Sequence, residues 1–535
     1  MPLKKLPLGN QSFRKIIEGG YVYVDKTKYI YKLVNEASYY FLSRPRRFGK
    51  SLLLDTISEV FNGDKELFED LWIHDSGYTF PKYPVIRLDM SNVSTESSED
   101  LKKSLLTSLS IISENEALPI VDEVPSDVFK RLIITLHKKY GQKVVVLVDE
   151  YDKPILDHIL DEEAAEANRK VLRGFFGILK SMDPYLRFSM FTGVSKFAKT
   201  SIFSELNNLS DITLHEEYAG ICGFGIDELD EYFGDHIENA PIAGLEEKGA
   251  NLRSEILKWY DGYSWDGKTR LVNPFSLLSF FDQKRFSSFW YASGSPKFLM
   301  DLIKENPGPY SELEDMRILD FSLDTINLGN ISLEPLLLQS GYLTIGSVEY
   351  DEHFDAIYTL RMPNYEVGRA FHLQVLSGLS NSGDLKASQF RIGMVNALGN
   401  GDLGAVLALM KSIFASIPYH IHVALEAYYH SVFYAALNVL GFDIQAEVAT
   451  SRGRVDAILE LGEKVYIFEF KYEDCPAGAS EEEKTKAYTP SLDKAMDQIK
   501  AKGYYEKFIG RGKEIYLAAF AFLGRDSIYM KAEVL

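Results

Sequence analysis

The chain has 535 residues, 46% of them hydrophobic and 25% charged, with a formal net charge of −19. That length exceeds one ordinary core, so several domains are expected. The balance excludes a disordered chain and a protein coated in basic surface, while leaving room for a local basic groove.

Two cysteines, Cys222 and Cys475, are too few for a disulfide framework or a zinc site. The opening "MPLKKLPLGN" has no signal-peptide apolar core, and no run reaches the length of a membrane span. A cytoplasmic protein with no membrane partner is expected.

In chain order, "SYYFLS" (38–43) is the first predicted buried strand. It runs into "RPRRFGKSLLL" (44–54), where Gly49, Lys50 and Ser51 match the end of the phosphate-loop pattern G-x-x-x-x-G-K-[ST]. Arg44 stands where the first glycine of that pattern would be. Leu53, Ile57, Val60 and Phe61 then recur at helical spacing until "NGD". Strand, loop and helix are the context such a loop needs. "YPVIRLDMS" (83–91) predicts a further strand, and "KVVVLVDEYD" a buried parallel strand ending in Asp149 and Glu150. "LRFSMFTGV" (186–194) predicts a fourth, after a helix near 163–181. Strands alternating with helices predict an α/β, doubly wound parallel sheet.

The residue types fit nucleotide chemistry. Gly49 lets backbone N–H groups approach phosphate at a helix N-terminus, and Lys50 neutralises β- and γ-phosphate charge. Ser51 and Asp149 are expected to hold Mg²⁺, and Glu150 to orient or deprotonate the attacking water. Thr192 is placed to sense the γ-phosphate. ATP and Mg²⁺ are therefore the expected cofactors. The competing reading treats "FGKS" as a turn and "DE" as a solvated strand end.

The aromatic segments "EYAGICGFGIDELDEYF" and "KWYDGYSWDGKTRLVNPFSLLSFF" read as helical core, the competing reading being an aromatic binding face. "LEPLLLQSGYLTIG" followed by "IYTLRMPN" predicts a helix and a two-stranded wing without a basic recognition helix, hence a joining unit. "SNSGD" (380–384) and "LGNGD" (398–402) are the predicted joints.

"GFDIQAEVATSRGRVDAILELGEKVYIFEFK" (441–471) predicts three strands and tight turns. Alternation puts Val465, Ile467, Glu469 and Lys471 on one face, and Tyr466, Phe468 and Phe470 on the other. Charge at the end of a buried face is costly unless paired or bound to metal. Asp456 precedes these residues on the neighbouring strand, completing a D…E-x-K pattern. Asp456 and Glu469 would supply hard oxygen ligands for a divalent ion, and Lys471 would position a nucleophile or stabilise developing charge. The competing reading is a surface pair on an amphipathic sheet edge. The following "YEDCPAGASEEEKTKAYTPSLDKAM" is expected to be a flexible acidic surface loop.

Taken together, these segments resemble the bacterial AAA-ATPase-like proteins that carry a C-terminal PD-(D/E)XK nuclease-like domain. "RPRRFGKS" is similar to that family's version of the loop, "YVDKT" (23–27) to its N-terminal signature, and "LVDEYDKPI" and "FTGVSKF" to its Walker B and sensor segments. The resemblance implies that Arg44, Arg46 and Arg47 replace glycine contacts by charge, unless one pairs with Asp or Glu instead. It adds Glu426 as a metal-side carboxylate and Gln498 from the helix after the core strands. It implies a P-loop ATPase core over 1–215, a helical lid over 216–300, a winged-helix-like linker over 301–400 and the nuclease-like domain over 401–535. The expected function is ATP binding and hydrolysis coupled to metal-dependent cleavage or binding of DNA or RNA. The second reading is a nucleotide-switched recognition protein whose nuclease fold is inactive.

Overall fold

The computed structural model describes residues 3–118, 123–196, 202–203, 206, 208–242, 245, 250–294, 313, 315–323, 332–380, 383–416, 432–437, 440, 444–450, 453–476, 478–524 and 527–535. They fall into two compact units, one running to Gly294 and joined by Asp315–Glu366, the other formed by Val367–Leu535.

The first unit is built on β1 (Tyr39–Ser43), β2 (Val85–Asp89), β3 (Val144–Asp149), β4 (Leu186–Gly193) and the short β5 (Ser210–Asp211). All neighbouring pairs are parallel, in the order β2-β3-β4-β1-β5. β1 and β3 are buried at every position, as continuous apolar runs in a parallel sheet covered on both faces should be. β4 lies between them, so the carboxyl ends of β1, β4 and β3 stand side by side. This is the P-loop arrangement expected, with one strand inserted between the loop strand and the carboxylate strand. Helices Lys50–Asn62, Ser98–Asn115, Pro125–Tyr140 and Glu162–Gly177 alternate with the strands. Ser97 and Asp161 cap two of them by accepting from Asp100 N and Ala164 N.

The aromatics of the next stretch form core, as their spacing predicts. Helices Ile226–Glu238, Leu252–Tyr260 and Pro274–Gln283 bury Phe233, Tyr260, Phe280 and Phe281 together with Val22 and Val24 from the chain's start. A two-stranded ribbon, β6 (Phe224–Gly225) with β7 (Leu271–Val272), ties these helices at one end. The wing has one more strand than expected. β8 (Met316–Leu319), before the helix Leu333–Ser340, pairs with β10 (Ala356–Arg361), which pairs with β9 (Thr344–Tyr350).

In the second unit, helices Gly383–Asn400 and Leu403–Ala415 precede a five-stranded sheet. Its strands β11 (Ile444–Thr450), β12 (Gly453–Leu461), β13 (Lys464–Glu473), β14 (Glu514–Leu523) and β15 (Ser527–Val534) lie in sequence order. β13 and β14 are parallel, and helix Glu481–Lys502 crosses between them. Val465 and Ile467 pack under Leu492, Ala495, Met496 and Ile499 of that helix. Each such fully buried side chain contributes about 1.5–3 kcal/mol.

This helix corrects the expectation of a flexible loop before Gln498. Ser480 and Glu483 form a capping box, three glutamates fill the first turn, and Lys484–Glu481 and Lys486–Glu482 pair along the exposed face. Acidity here is a helix N-terminus. No helix among the described residues is long and apolar enough to cross a membrane.

Candidate nucleotide and metal sites

The loop between β1 and helix Lys50–Asn62 ends on Gly49, whose φ of 91° only glycine adopts freely, and no side chain caps the helix. Its first N–H groups therefore stay available to an anion. Lys50 is 5% exposed, and its Nζ donates to Arg44 O at 2.9 Å and Pro45 O at 3.0 Å. Burial lowers its pKa, opposed by Asp149, Glu150 and Asp152. A buried cation held by its own loop's carbonyls is poised for a phosphate oxygen.

Arg44 turns inward. Its guanidinium lies 4.2 Å over the Trp265 ring, and Nη1 donates to Ser43 O and Thr213 O, each at 2.8 Å. Burial lowers its pKa to about 10, which leaves it charged. Where the general pattern has a glycine, this chain has an interior strut. Arg46 and Arg47 instead line a cavity of ≈ 440 Å³ with Gly49, Lys50 and Ser51. Arg47 holds a left-handed φ of 67°, a strain of about 1–3 kcal/mol for a non-glycine residue.

Across from the loop, Asp149 ends β3, and Thr192 near the end of β4 donates to its Oδ1 at 2.6 Å. Glu150 is also left-handed, at φ 50°, and lines the cavity. Asp152 is 1% exposed and accepts from Val194 N at 3.0 Å and Ser195 N at 2.5 Å, which fixes the turn after β4. Burial pushes Asp152 up to about 6. Gly193 is required there, because a Cβ would stand 2.6 Å from Asp152 Oδ1.

Apolar side chains complete the lining: Pro7, Leu8, Val22, Phe224, Phe275 and Leu278, with the Arg47 guanidinium 5.0 Å over the Phe275 ring. In the "YVDKT" signature, Lys26 also lines the cavity and pairs with Glu228 at 2.6 Å, while Asp25 accepts from Thr27 N and Trp72 N. Basic and apolar side chains lining one cavity suit a nucleotide's two halves.

In the second unit, Glu469 is 0% exposed on β13. Lys471 Nζ donates to its Oε1 at 3.0 Å, and Gln498 Nε2 donates to the same oxygen. Its Oε2 has no hydrogen-bond partner among the described residues. Asp456 lies one step past the paired Ala457 and Phe468, and its Oδ2 accepts from Phe470 N at 2.7 Å. Burial, then the nearby Asp456 charge, raises Glu469 to about 7, against the pull of Lys471.

The comparisons with known proteins follow this division. A profile described as "Predicted AAA-ATPase" matches residues 7–203, and one described as "PD-(D/E)XK nuclease superfamily" matches residues 424–532. The "Uncharacterized protein in vnfD 5'region" of Azotobacter chroococcum mcd 1 is 38% identical over 542 residues, spanning 98% of each chain. This chain belongs to the AAA-ATPase-like family with a C-terminal PD-(D/E)XK nuclease-like domain. A solved structure of the Aeropyrum pernix ORC2 protein in ADPNP–ADP complexes aligns at 12% identity and TM-score 0.25, over 68% of this chain and 98% of that one. A likeness that distant carries no argument.

In this AAA-ATPase-like chain the expected nucleotide residues separate by position. Arg46, Arg47, Gly49, Lys50, Ser51 and Glu150 line the cavity. Asp149 and Thr192 are bonded to each other at buried strand ends and are not among its lining residues. Arg44 is not brought to the cavity, because its guanidinium lies over Trp265 with Nη1 bonded to backbone carbonyls. In the nuclease-like unit Asp456, Glu469, Lys471 and Gln498 come together, whereas Glu426 lies outside the described residues. The apolar lining, Glu228 and Asp152 escaped the sequence reading. Asp152 alone had a local signal, as the third acid of "DEYD".

Both sites present oxygen donors of the kind divalent cations take. The unpartnered buried Oε2 of Glu469 beside Asp456 is a vacancy in hydrogen bonding that a cation would fill. Among the described residues no group of three or more His, Cys, Asp or Glu is placed to hold a metal ion.

Proposed function

We propose that the first unit binds ATP with Mg²⁺ and hydrolyses it, and that the second uses a divalent ion to cleave nucleic acid. The observation that carries the nucleotide half is one cavity lined by Lys50, Arg46 and Arg47 together with a set of apolar side chains. Lys50 exchanges its carbonyl partners for phosphate oxygens, and Ser51 and Asp149 are the residues that would hold the metal. Bound Mg²⁺ would shield phosphate charge and polarise the bond to the leaving oxygen. Thr192 keeps the Asp149 carboxylate in one orientation. Glu150 holds the attacking water at the cavity surface and takes its proton.

In the second unit Asp456 and Glu469 would hold the ion, which would supply an activated water and charge neutralisation at the scissile phosphate. Gln498 and Lys471 hold Glu469, and Lys471 is the cation available to the departing negative charge. With a net charge of −19, contact with DNA or RNA must be confined to a local surface.

One observation favours the second reading, a recognition module without cleavage. Among the described residues no third His, Cys, Asp or Glu joins Asp456 and Glu469 in a group placed to hold a metal, and Lys471 already occupies one Glu469 oxygen. Incubation of the purified chain with single-stranded DNA, double-stranded DNA and RNA, in Mg²⁺ or Mn²⁺ and with or without ATP, separates the two. Metal-dependent products that vanish in Asp456→Asn support cleavage. Metal binding with no product on any substrate supports recognition.

A further inference from the structure

The phosphate loop is braced from its outer side by residues far away in sequence. Trp290 Nε1 donates to Arg46 O at 3.1 Å, and the backbone N of Trp290 donates to Glu366 Oε1 at 2.6 Å. Gly341, at φ 90°, sits so close that an added Cβ would lie 2.7 Å from Pro45 and 3.3 Å from the Trp290 ring. Phe48 meets Tyr263 and Trp265 edge-on, at ring-centroid distances of 4.7 and 5.2 Å. None of Trp290, Gly341 and Glu366 lines the nucleotide cavity.

The Arg46 carbonyl matters because it belongs to the peptide preceding Arg47. A trans peptide points its C=O and N–H in opposite directions. Fixing Arg46 O on the indole therefore aims the Arg47 N–H away from Trp290, and restrains the strained left-handed φ of Arg47. Such strain persists only where the surroundings over-determine it.

Glu366 holds the other end. It is 1% exposed, and its Oε2 has no hydrogen-bond partner among the described residues. Ser276 and Tyr263 are its polar neighbours.

We propose that Glu366, acting through Trp290, is a positioning residue for the phosphate loop, so that the two residues set ATP affinity without touching ATP. This rests on the nucleotide reading above. Trp290→Phe keeps a ring against Tyr342, 5.2 Å away, and deletes the indole N–H. One lost hydrogen bond predicts an MgATP Kd and KM raised about fivefold, with kcat at saturation within about twofold of the parent. Glu366→Ala should do the same, and Glu366→Gln, which keeps an acceptor oxygen, should restore the parent's affinity. Should Trp290→Phe fail to fold, Gly341→Ala tests the brace from its other side and should also raise KM.

Calorimetry with MgATP on these variants and on Lys50→Ala distinguishes the failures. Parent-like affinity in Trp290→Phe or Gly341→Ala, with binding lost in Lys50→Ala, would overturn the brace and leave the nucleotide site standing. Equally, Glu366→Gln binding as weakly as Glu366→Ala would remove Glu366 from it. Parent-like affinity in Lys50→Ala as well would overturn the nucleotide reading itself.

Discussion

Thr192 Oγ1 donates to Asp149 Oδ1 at 2.6 Å, across the two adjacent strand ends that face the phosphate loop. Thr192 is fully buried, so its hydroxyl has no water to fall back on. Thr192→Val removes the donor with little change of shape, leaving the Asp149 carboxylate with only the Glu150 N–H to orient Oδ1. Turnover at limiting Mg²⁺ should fall by about tenfold, near 1.4 kcal/mol, and Thr192→Ser should restore most of it. Steady-state ATPase rates across a Mg²⁺ titration measure this, and equal rates in parent and Thr192→Val would remove the residue from the site.

Arg44 is expected to matter for folding before it matters for nucleotide. Arg44→Met leaves the carbonyls of Ser43 and Thr213 without donors and should destabilise the first unit by about 3 kcal/mol. Arg44→Lys should not rescue it, because a planar guanidinium is what stacks on Trp265 while bonding at its edge. Denaturant unfolding followed by tryptophan fluorescence reports the midpoint. A parent-like midpoint for Arg44→Lys would contradict the stacking requirement.

Glu366 gives the first unit a pH dependence with a definite sign. Burial raises it from 4.5 to about 8, with Tyr260 and Tyr263 the titratable groups facing it. Between those values the folded chain keeps a proton that the unfolded chain has released. The stability from this group is thus complete below 4.5 and is lost as pH rises toward 8, by up to about 1.4 kcal/mol per pH unit. Glu366→Gln cannot titrate. Denaturation midpoints at pH 5 and pH 8 should therefore drop more in the parent than in Glu366→Gln, and an equal drop would contradict the assignment.

The nuclease-like site predicts a metal response in stability. Asp456 and Glu469 repel each other until a cation lies between them, so Mg²⁺ or Mn²⁺ should raise the melting temperature of the second unit. Asp456→Asn should abolish that rise while leaving the metal-free transition almost unmoved. Lys471→Ala should keep the rise and lower any cleavage. Scanning calorimetry with and without metal decides it; no metal response in the parent would make Asp456 and Glu469 structural carboxylates.

Much of this was legible because it is local. The apolar runs around 38–43, 144–149 and 186–194 became fully or almost fully buried strands, and alternation in "KVYIFEFK" placed Glu469 on the face of Val465 and Ile467. What stayed hidden depends on distant partners. Arg44 looks like a phosphate ligand until Thr213 and Trp265, 169 or more residues away, take up its donors and its face. The apolar lining is assembled from the chain's first residues and from helices beyond 220, with no motif at either end. The stretch after Lys471 reads as loop because its apolar face begins only at Leu492, and the turns before it are held by a cap and paired charges.

Titration of MgATP into the parent, Lys50→Ala and Glu150→Gln by calorimetry tests the central claim most directly. The parent and Glu150→Gln should bind alike, Glu150→Gln turning over more slowly, and Lys50→Ala should bind about tenfold more weakly or worse, a loss of about 1.4 kcal/mol or more. No heat of binding in the parent, or parent-like affinity in Lys50→Ala, would contradict a nucleotide site at residues 44–51.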